Sequence, residues 1–253
     1  EREPMIFKKS YSFIILPHHG EQGRGKLFII IAFLLAHMAC FAGMKNNQTP
    51  QRRMELVKRN PVFKEWSNHY KKYDSTLIWL DIQFGPEINY EIREHEDCRA
   101  VEKDIRQPLL CYSPNMKLFL DAFIGTDIEN ENGRIVLCND VDNGVQLYDK
   151  VHRTSALLQY TGPGEGVETV SWIDNNNCIL MCVSYNYPDT PDNTKLEYGF
   201  FITWCNLTNQ TKCYAHGPTM GWEKVANMGY QRFHHYESRE MKRLRKKYKH
   251  IEE

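Results

Sequence analysis

Short segments of apolar and polar residues, separated by loop residues, recur over much of the chain. Residues 145–149 alternate between apolar and polar side chains, and residues 156–160 form an apolar segment able to pair with them. The Asp-Asn-Asn-Asn sequence at residues 174–177 is typical of a tight turn. Segments of this kind at regular spacing predict antiparallel β-sheet. We expect two blade-like units, at residues 109–160 and 168–216.

Two further stretches predict strand and turn structure. Residues 76–84 are rich in apolar and aromatic side chains and are followed by a Gly-Pro pair, which indicates a strand that then breaks. The sequence Asp142-Asn143-Gly144 is typical of a hairpin turn, because asparagine and glycine tolerate the positive φ angles that such turns require. Both stretches therefore add to the predicted β content.

Helical signals lie on either side of the sheet region. Residues 52–73 predict a helix that is broken or restarted at Pro61, with Asn60 as the N-cap of the second piece. The apolar residues that recur there at helical spacing are Val62, Trp66 and Tyr70. Residues 239–249 include seven basic residues and predict a solvated helical tail.

A basic residue, an apolar run and small residues follow one another near the start of the sequence. Lys26 precedes ten apolar residues, 27–36, which is the pattern of a secretory signal peptide. The run is short for a membrane-spanning helix, which needs about 20 residues. Cys40 follows Ala39 and fits a lipoprotein signal, in which the cysteine is lipidated and becomes the new N-terminus, while cleavage after Ala42 is the alternative. We expect export and a lipid anchor at Cys40, on the outer membrane or the periplasmic face of the cell envelope.

Charge is segregated along the chain although its 32 basic and 32 acidic residues balance. Basic and acidic residues number 8 and 2 in residues 44–72, 10 and 22 in residues 73–216, and 9 and 5 in residues 217–253. The interpretation we favour is that the basic ends pack against the acidic middle. The alternative is a cationic partner for the middle and an anionic surface for the ends.

Two sequence motifs resemble known families. The Ser-Pro-Asn-Met-Lys sequence at residues 113–117 resembles the Ser-Pro-Asp-Gly-Lys turn of β-propeller repeats, and residues 145–149 resemble the later blade strand that ends in aspartate. The Asn-Pro-Val-Phe-Lys-Glu-Trp sequence at residues 60–66 is similar to a helix of Bacteroidetes-type envelope lipoproteins, in which it stands between a lipoprotein signal and a blade-like region. This resemblance covers most of residues 26–216. It implies location and architecture but no activity.

The resemblance and the local patterns together predict the domain organisation. The fold is expected to be mainly β, with antiparallel blade-like sheets in an incomplete propeller-like arrangement, an N-terminal helix and a C-terminal basic helical tail. A closed propeller needs typically four or more blades, and the chain has room for about two. The expected parts are a leader and signal peptide (1–43), a linker and helix (44–73), a β-sheet domain (74–216) and a C-terminal basic helical segment (217–253).

Cys205 and Cys213 flank a short polar turn and are the cysteines that we expect to form a disulfide. If residues 208–210 form a three-residue loop, the two cysteines face each other within disulfide reach. A two-residue turn instead pairs Cys205 with Lys212 and puts the thiols on opposite faces of the sheet. The alternative role for both is that of small buried hydrophobic residues. Export would permit the oxidation.

Residues that could carry chemistry form no recognisable set in the sequence. It contains no Cys-x2-Cys pair typical of zinc sites, no phosphate-binding P-loop and no Gly-x-Ser-x-Gly nucleophile elbow. His95 and Cys98 are close in sequence but have no second pair of ligands. The carboxylates around His95 could serve acid–base catalysis, but so polar a run is typical of a solvated loop. We expect no cofactor, no metal and no catalytic residue.

The function expected from these patterns is that of a non-enzymatic, envelope-tethered binding or interaction module. Its partner is expected to be an unknown protein or glycan at the envelope, and not nucleic acid. One alternative is a structural or accessory subunit that pairs through a sheet edge, because unpaired strand edges invite augmentation. Another is an unrecognised hydrolase that uses the acidic residues near His95.

Overall fold

Two short helices that meet at Asn60 open the fold. In the computed structural model, α1 (Pro50–Arg59) and α2 (Pro61–Lys71) each begin with proline, whose fixed φ suits the first helical turn. The Asn60 side chain accepts hydrogen bonds from two backbone N–H groups of α2, at 2.9 and 3.1 Å. The predicted restart at Pro61 and the predicted N-cap are therefore confirmed. The first helix begins at Pro50, two residues before the predicted start.

The structure describes residues 49–79, 83–90, 92–93, 101, 105–131, 134–162, 164–186, 197–221, 223–224, 236–248 and 251–252. Across these ranges, every helix is too short or too polar to cross a membrane. The predicted leader and its Cys40 lie outside the described residues.

Sheet A is a five-stranded antiparallel sheet built mainly from consecutive strands. Its strands are β1 (Ile88–Asn89), β7 (Glu165–Trp172), β8 (Asn177–Asn186), β9 (Glu197–Asn206) and β10 (Thr211–Gly221). The spatial order is β1–β10–β9–β8–β7, so the last four strands form a meander. This meander corresponds to the predicted unit at residues 168–216.

Sheet B is a second meander, which precedes most of sheet A in the chain. Its strands are β2 (Ile92–Arg93), β3 (Cys111–Tyr112), β4 (Leu118–Glu131), β5 (Arg134–Asp149) and β6 (Thr154–Thr161), with β11 (Ile251–Glu252) parallel to β5. The order is β2–β6–β5–β4–β3. The C-terminal helix α3 (Arg239–Lys247) follows sheet A. The predictions of a mainly β fold with antiparallel sheets and a helical tail are confirmed.

Sheet A lies between two hydrophobic cores because successive strand residues point to opposite faces. In β8, Leu180 and Cys182 face sheet B, whereas Ile179 and Met181 face the helices. Sheet B contributes Leu120, Val145, Leu147 and Leu158 to the inter-sheet core. The helices contribute Met54, Val57, Phe63, Trp66 and Tyr70 to the other core. The amphipathic face predicted for α2 is therefore its packing face.

Residues 76–84, predicted as a strand, do not form one at the described positions 76–79 and 83–84. Leu77, Trp79 and Phe84 are nonetheless buried in the core between the helices and sheet A. The Gly85 N–H donates to the Tyr214 carbonyl of β10 at 2.8 Å, which ties this segment to the edge of the sheet. The apolar pattern thus reflects burial against the sheet face and not strand pairing.

The predicted hairpin turn at residues 142–144 is also wrong, because these residues lie inside β5. Gly144 is paired with Tyr160 of β6, and a Cβ atom at Gly144 would lie 2.9 Å from the Gln159 carbonyl oxygen. Glycine is needed here for the close approach of two strands and not for a turn.

Two ion pairs join the basic ends of the chain to its acidic middle, which confirms the favoured interpretation of the charge pattern. Arg53 of α1 is only 3% exposed and donates to Glu87. Lys224 donates to Asp74, which is also buried. Burial by itself raises the pKa of Asp74, but the hydrogen bonds from Lys224 and Thr76 outweigh it, so the pKa lies below its ordinary value.

Two basic side chains of α3, Arg239 and Lys242, form ion pairs with α2. Arg239 and Lys242 each donate to the Glu65 carboxylate of α2 at 2.9 Å. On the opposite side of α3, Leu244 is fully buried and packs with Leu109 and Ile135 of the sheet B region. These contacts place α3 against both the helical layer and sheet B.

Candidate functional site

Cys205 and Cys213 do not meet in the structure. Cys205 is paired with Lys212, and Cys213 with Trp204, because the turn between β9 and β10 spans residues 207–210. This is the register that puts the two thiols on opposite faces of sheet A. Cys205 lies in the inter-sheet core and Cys213 in the core under the helices, so sheet A separates the two thiols. The predicted Cys205–Cys213 disulfide is therefore wrong.

The other residues considered for chemistry, Cys40, His95 and Cys98, lie outside the described residues. Within the part of the chain that the structure describes, no three His, Cys, Asp or Glu side chains are grouped so as to hold a metal ion. The cavities of the fold are therefore the remaining candidates for a site among the described residues.

A cavity of about 440 Å³ opens between the two sheets, at the end where β7 begins and β10 ends. We call it the inter-sheet cleft. Side chains from β6 of sheet B and from all four meander strands of sheet A line it. Those with polar or aromatic groups include Gln159, Glu165, Ser184, Phe201, Tyr214 and His216. The cleft thus combines residues that are far apart in sequence.

Strand register explains how sheet A forms the floor of the cleft. Glu165 is paired with Ser184, Ser184 with Gly199, and Gly199 with Thr219. These four residues form a continuous row across β7, β8, β9 and β10, on the face toward sheet B. Because Gly199 has no side chain, the row is open at its centre. A carboxylate and two hydroxyls are left around the opening.

The inner wall of the cleft carries aromatic rings beside the row. The rings of Phe201 and His216 lie 6.3 Å apart between centroids, at an angle of 37°. The Tyr214 hydroxyl donates to the Gln159 side-chain oxygen at 3.4 Å, which links sheet A to sheet B. Lys212 makes a second link, from Nζ to the Leu158 carbonyl at 2.7 Å. These cross-links hold the two sheets together behind the opening.

A bulge in β10 shapes the outer wall of the cleft. The β9–β10 register shifts between His216 and Thr219, around Gly217. A Cβ atom at Gly217 would lie 2.5 Å from the Trp79 ring and 3.0 Å from the Phe200 carbonyl oxygen. Glycine at this position therefore lets Trp79 pack behind β10, while the bulge turns Thr219 toward the row.

A second polar cluster, around Glu168, has a structural role. A register shift in β7 at this residue turns its side chain toward α2. Its carboxylate accepts from Trp66 Nε1 at 2.7 Å and from the hydroxyls of Tyr70 and Tyr198. Burial, followed by the Glu168 charge, raises the pKa of Tyr70 well above its ordinary value, so Tyr70 acts as a neutral donor. The cluster fixes α2 on sheet A.

A smaller cavity of about 210 Å³, which we call the turn-side cavity, lies at the opposite end of the two sheets. It is lined by Tyr90, Asp149, Asn176 and Thr208, among others. The turn after β5 already engages Asp149, which accepts from His152 Nδ1 at 2.7 Å and from the Val151 N–H at 2.8 Å. The larger cleft is therefore the better candidate for a binding site.

The cleft could not be found from the sequence because its residues belong to different strands and meet only through their register. The alternation of side chains in β9 predicts that Gly199 and Phe201 share a face, but not which residues lie beside them. Comparisons of the chain with protein-family models, with curated proteins and with solved structures find no match.

Proposed function

We propose that this chain is a non-enzymatic binding module that holds a short glycan in the inter-sheet cleft. The observation that carries the proposal is the lining of the cleft, in which the row from Glu165 to Thr219 adjoins the rings of Phe201, Tyr214 and His216. Two blade-like meanders supply the rigid support, because cross-sheet hydrogen bonds fix them behind the opening.

The chemistry of this lining fits a sugar better than an apolar ligand. Aromatic faces carry partial negative charge and attract the C–H groups of a pyranose ring. Hydroxyl, amide and carboxylate groups at the edge of those rings can donate to and accept from sugar hydroxyls. Ser184 and Thr219 stand on either side of the open position at Gly199, so a ring over Gly199 would meet polar groups at both edges.

Binding without catalysis is proposed because glycoside hydrolysis ordinarily uses a pair of carboxyl groups that flank the scissile bond. Among the described residues that line the cleft, Glu165 supplies the carboxylate and no second one accompanies it. A lone carboxylate serves well as an acceptor for sugar hydroxyls. The proposal therefore assigns Glu165 to ligand orientation.

An accessory subunit that pairs through a sheet edge is less well supported. The outermost strands of sheet B, β2 and β3, and one outermost strand of sheet A, β1, each have two residues. Short edge strands are a common way of preventing edge-to-edge association. The inter-sheet cleft is therefore better suited than the sheet edges to binding a partner.

Attachment to the cell envelope is the second part of the proposal. It rests on the sequence, where Lys26, an apolar run and Cys40 follow one another as in a lipoprotein signal. An anchor at Cys40 and a glycan-binding cleft would together suit a protein that captures saccharides at a cell surface.

Titration of the purified chain with defined oligosaccharides of glucose, galactose, mannose and N-acetylglucosamine tests the glycan-binding part. We expect one class to bind. Glu165→Gln should weaken that binding at least tenfold, since a hydrogen bond to a charged group contributes about 1.5–3 kcal/mol. Ser184→Leu should also weaken it, because the larger apolar side chain removes a hydroxyl and fills space beside Gly199. Thr208→Ala, in the turn-side cavity, is the matched control and should bind as the unmodified chain does. Absence of binding across the panel, or equal binding by the cleft variants, would refute the proposal.

A further inference from the structure

Two cysteines in the inter-sheet core lie directly opposite each other on neighbouring strands. Cys178 of β8 is paired in register with Cys205 of β9, and both side chains are fully buried. Both belong to the core between the sheets, so their thiols share one face of sheet A. β8 and β9 are interior strands of that sheet, which makes this pair one of its most protected positions.

The backbone ladder places the pair within disulfide reach. The Leu207 N–H donates to the Asn176 carbonyl at 2.8 Å, just beyond the paired strands. Along an antiparallel ladder, hydrogen-bonded pairs alternate with non-hydrogen-bonded pairs. The pair Cys178–Cys205 lies two positions from Asn176–Leu207 and is therefore also a hydrogen-bonded pair. Cα atoms at such a pair lie about 5.5 Å apart, inside the range of about 4.4–6.8 Å for disulfides. Opposed Cβ atoms lie about 4.5–5.5 Å apart, so closing the bond draws them together to about 3.5–4.5 Å.

The three other cysteines whose side chains the structure describes are less well placed. Cys182 is paired with Phe201, and Cys213 lies on the opposite face of sheet A. Cys111 of sheet B approaches the Val170 carbonyl, at 4.0 Å from its sulfur, and is the thiol most able to compete for Cys178. It belongs to the other sheet, so no strand register sets its distance from Cys178.

We propose that Cys178 and Cys205 form a disulfide that cross-links the two interior strands of sheet A. This is a modification site separate from the glycan-binding cleft; in the cell it rests on the proposed export, which supplies an oxidising compartment, whereas the pairing itself can be tested in vitro. The oxidant is a small-molecule or protein disulfide. One cysteine thiolate attacks that disulfide, forming a mixed disulfide and releasing one thiolate. The second cysteine thiolate then attacks the mixed disulfide and releases the other. Two electrons pass to the oxidant, and the two protons lost by the cysteines go to the two thiolates released.

The bond is expected to form before the core closes. In the folded, reduced chain, the hydrogen bond with Cys205 and complete burial raise the pKa of the Cys178 thiol well above its ordinary value. The reactive species is the thiolate, so the closed core suppresses exchange in both directions. Oxidation should therefore accompany folding, and the finished disulfide should resist reduction until sheet A opens.

Refolding of the full chain in a mixture of oxidised and reduced glutathione, followed by alkylation and non-reducing tryptic mapping, tests the proposal. Trypsin cleavage after Lys195 puts Cys178 and Cys205 in different peptides, so the disulfide joins two fragments. We expect most Cys205 in a peptide linked to Cys178, and the same link in Cys182→Ala, the matched control that removes the other cysteine of that fragment. Cys178→Ser should abolish it.

Recovery of Cys205 as an alkylated thiol, or its linkage to any cysteine other than Cys178, would overturn the proposal. Should Cys178→Ser fail to refold, the map of the unmodified chain and of Cys182→Ala still decides the pairing. A second measurement uses the folded, oxidised chain. Its disulfide should be reduced by dithiothreitol far more slowly in buffer than in denaturant, and equal rates would contradict the buried pairing.

Discussion

Replacement of Asn60 by alanine should be among the most destabilising single changes to a polar residue in this fold. The Asn60 side chain is 7% exposed and makes four hydrogen bonds. Its oxygen caps α2, and its nitrogen donates to the Ser171 hydroxyl at 3.1 Å and to the Trp172 carbonyl at 3.2 Å in β7. One residue thus joins the end of α1, the start of α2 and an edge of sheet A.

The expected loss in free energy of unfolding follows from these bonds. Removal of an N-cap costs about 1 kcal/mol, and each of the two lost bonds to β7 about 1 kcal/mol more, which gives about 3 kcal/mol for Asn60→Ala. Asn60→Asp keeps the cap but cannot donate to β7, so we expect it to lose about 2 kcal/mol. With a urea dependence of about 2 kcal/mol per M, the alanine variant should unfold at a midpoint about 1.5 M lower.

Urea titration followed by tryptophan fluorescence measures these differences. Thr49→Ala is the control, because Thr49 caps α1 by accepting a single hydrogen bond, from the Arg52 N–H at 3.3 Å, and makes no hydrogen bond to a strand among the described residues. It should cost about 1 kcal/mol or less. If Asn60→Ala were no worse than Thr49→Ala, or Asn60→Asp matched the unmodified chain, the assigned link between α2 and β7 would be incorrect.

Three further predictions concern the edge of sheet A, the acid response and the anchor. Gly217→Ala should lower stability by about 2 kcal/mol in thermal unfolding, because its Cβ would collide with the Trp79 ring, whereas Gly221→Ala, which meets no atom within 4 Å, should have little effect. Since the pKa of Asp74 is lowered from 3.8 in the folded state, its contribution is present above that value and lost as pH falls through the folded pKa. Asp74→Asn should therefore be destabilising in urea titrations at pH 7, and much less so at pH 2; an equal difference at both would contradict the lowered pKa. Cys40→Ala should abolish labelling by a fatty-acid analogue in the host cell, and persistent labelling would exclude the anchor at that residue.

The helix start and the tight turn that the sequence predicted depend on residues that are close together in the chain. Asn60 followed by Pro61 marks the start of a helix because both residues act within one helical turn. The turn at residues 174–177 was predicted for the same reason, since Asp174 accepts from the Asn176 N–H at 2.7 Å. Short turns at residues 174–177 and 207–210 likewise indicated two of the hairpins of sheet A.

The errors arose where a distant strand determines the structure. The Asp-Asn-Gly sequence at residues 142–144 resembles a turn, but Gly144 is required by the approach of β6. Cys205 and Cys213 were expected to meet, yet one extra loop residue changes the register and reverses the face of every side chain. The cleft depends on the register of three strand pairs at once, which no local pattern specifies.

The placement of α1 and α2 against sheet A affects the order in which the chain can fold during synthesis. About 150 residues separate the end of α2 at Lys71 from the end of β10 at Gly221. At a ribosomal rate of about 5–20 residues per second, the last meander strand appears about 8–30 s after the helices. Isolated helices of about ten residues are unstable in water, so α1 and α2 cannot persist until sheet A exists. Among the described residues, the helices synthesised first therefore acquire lasting structure only once sheet A has formed, whether that happens during synthesis or after export.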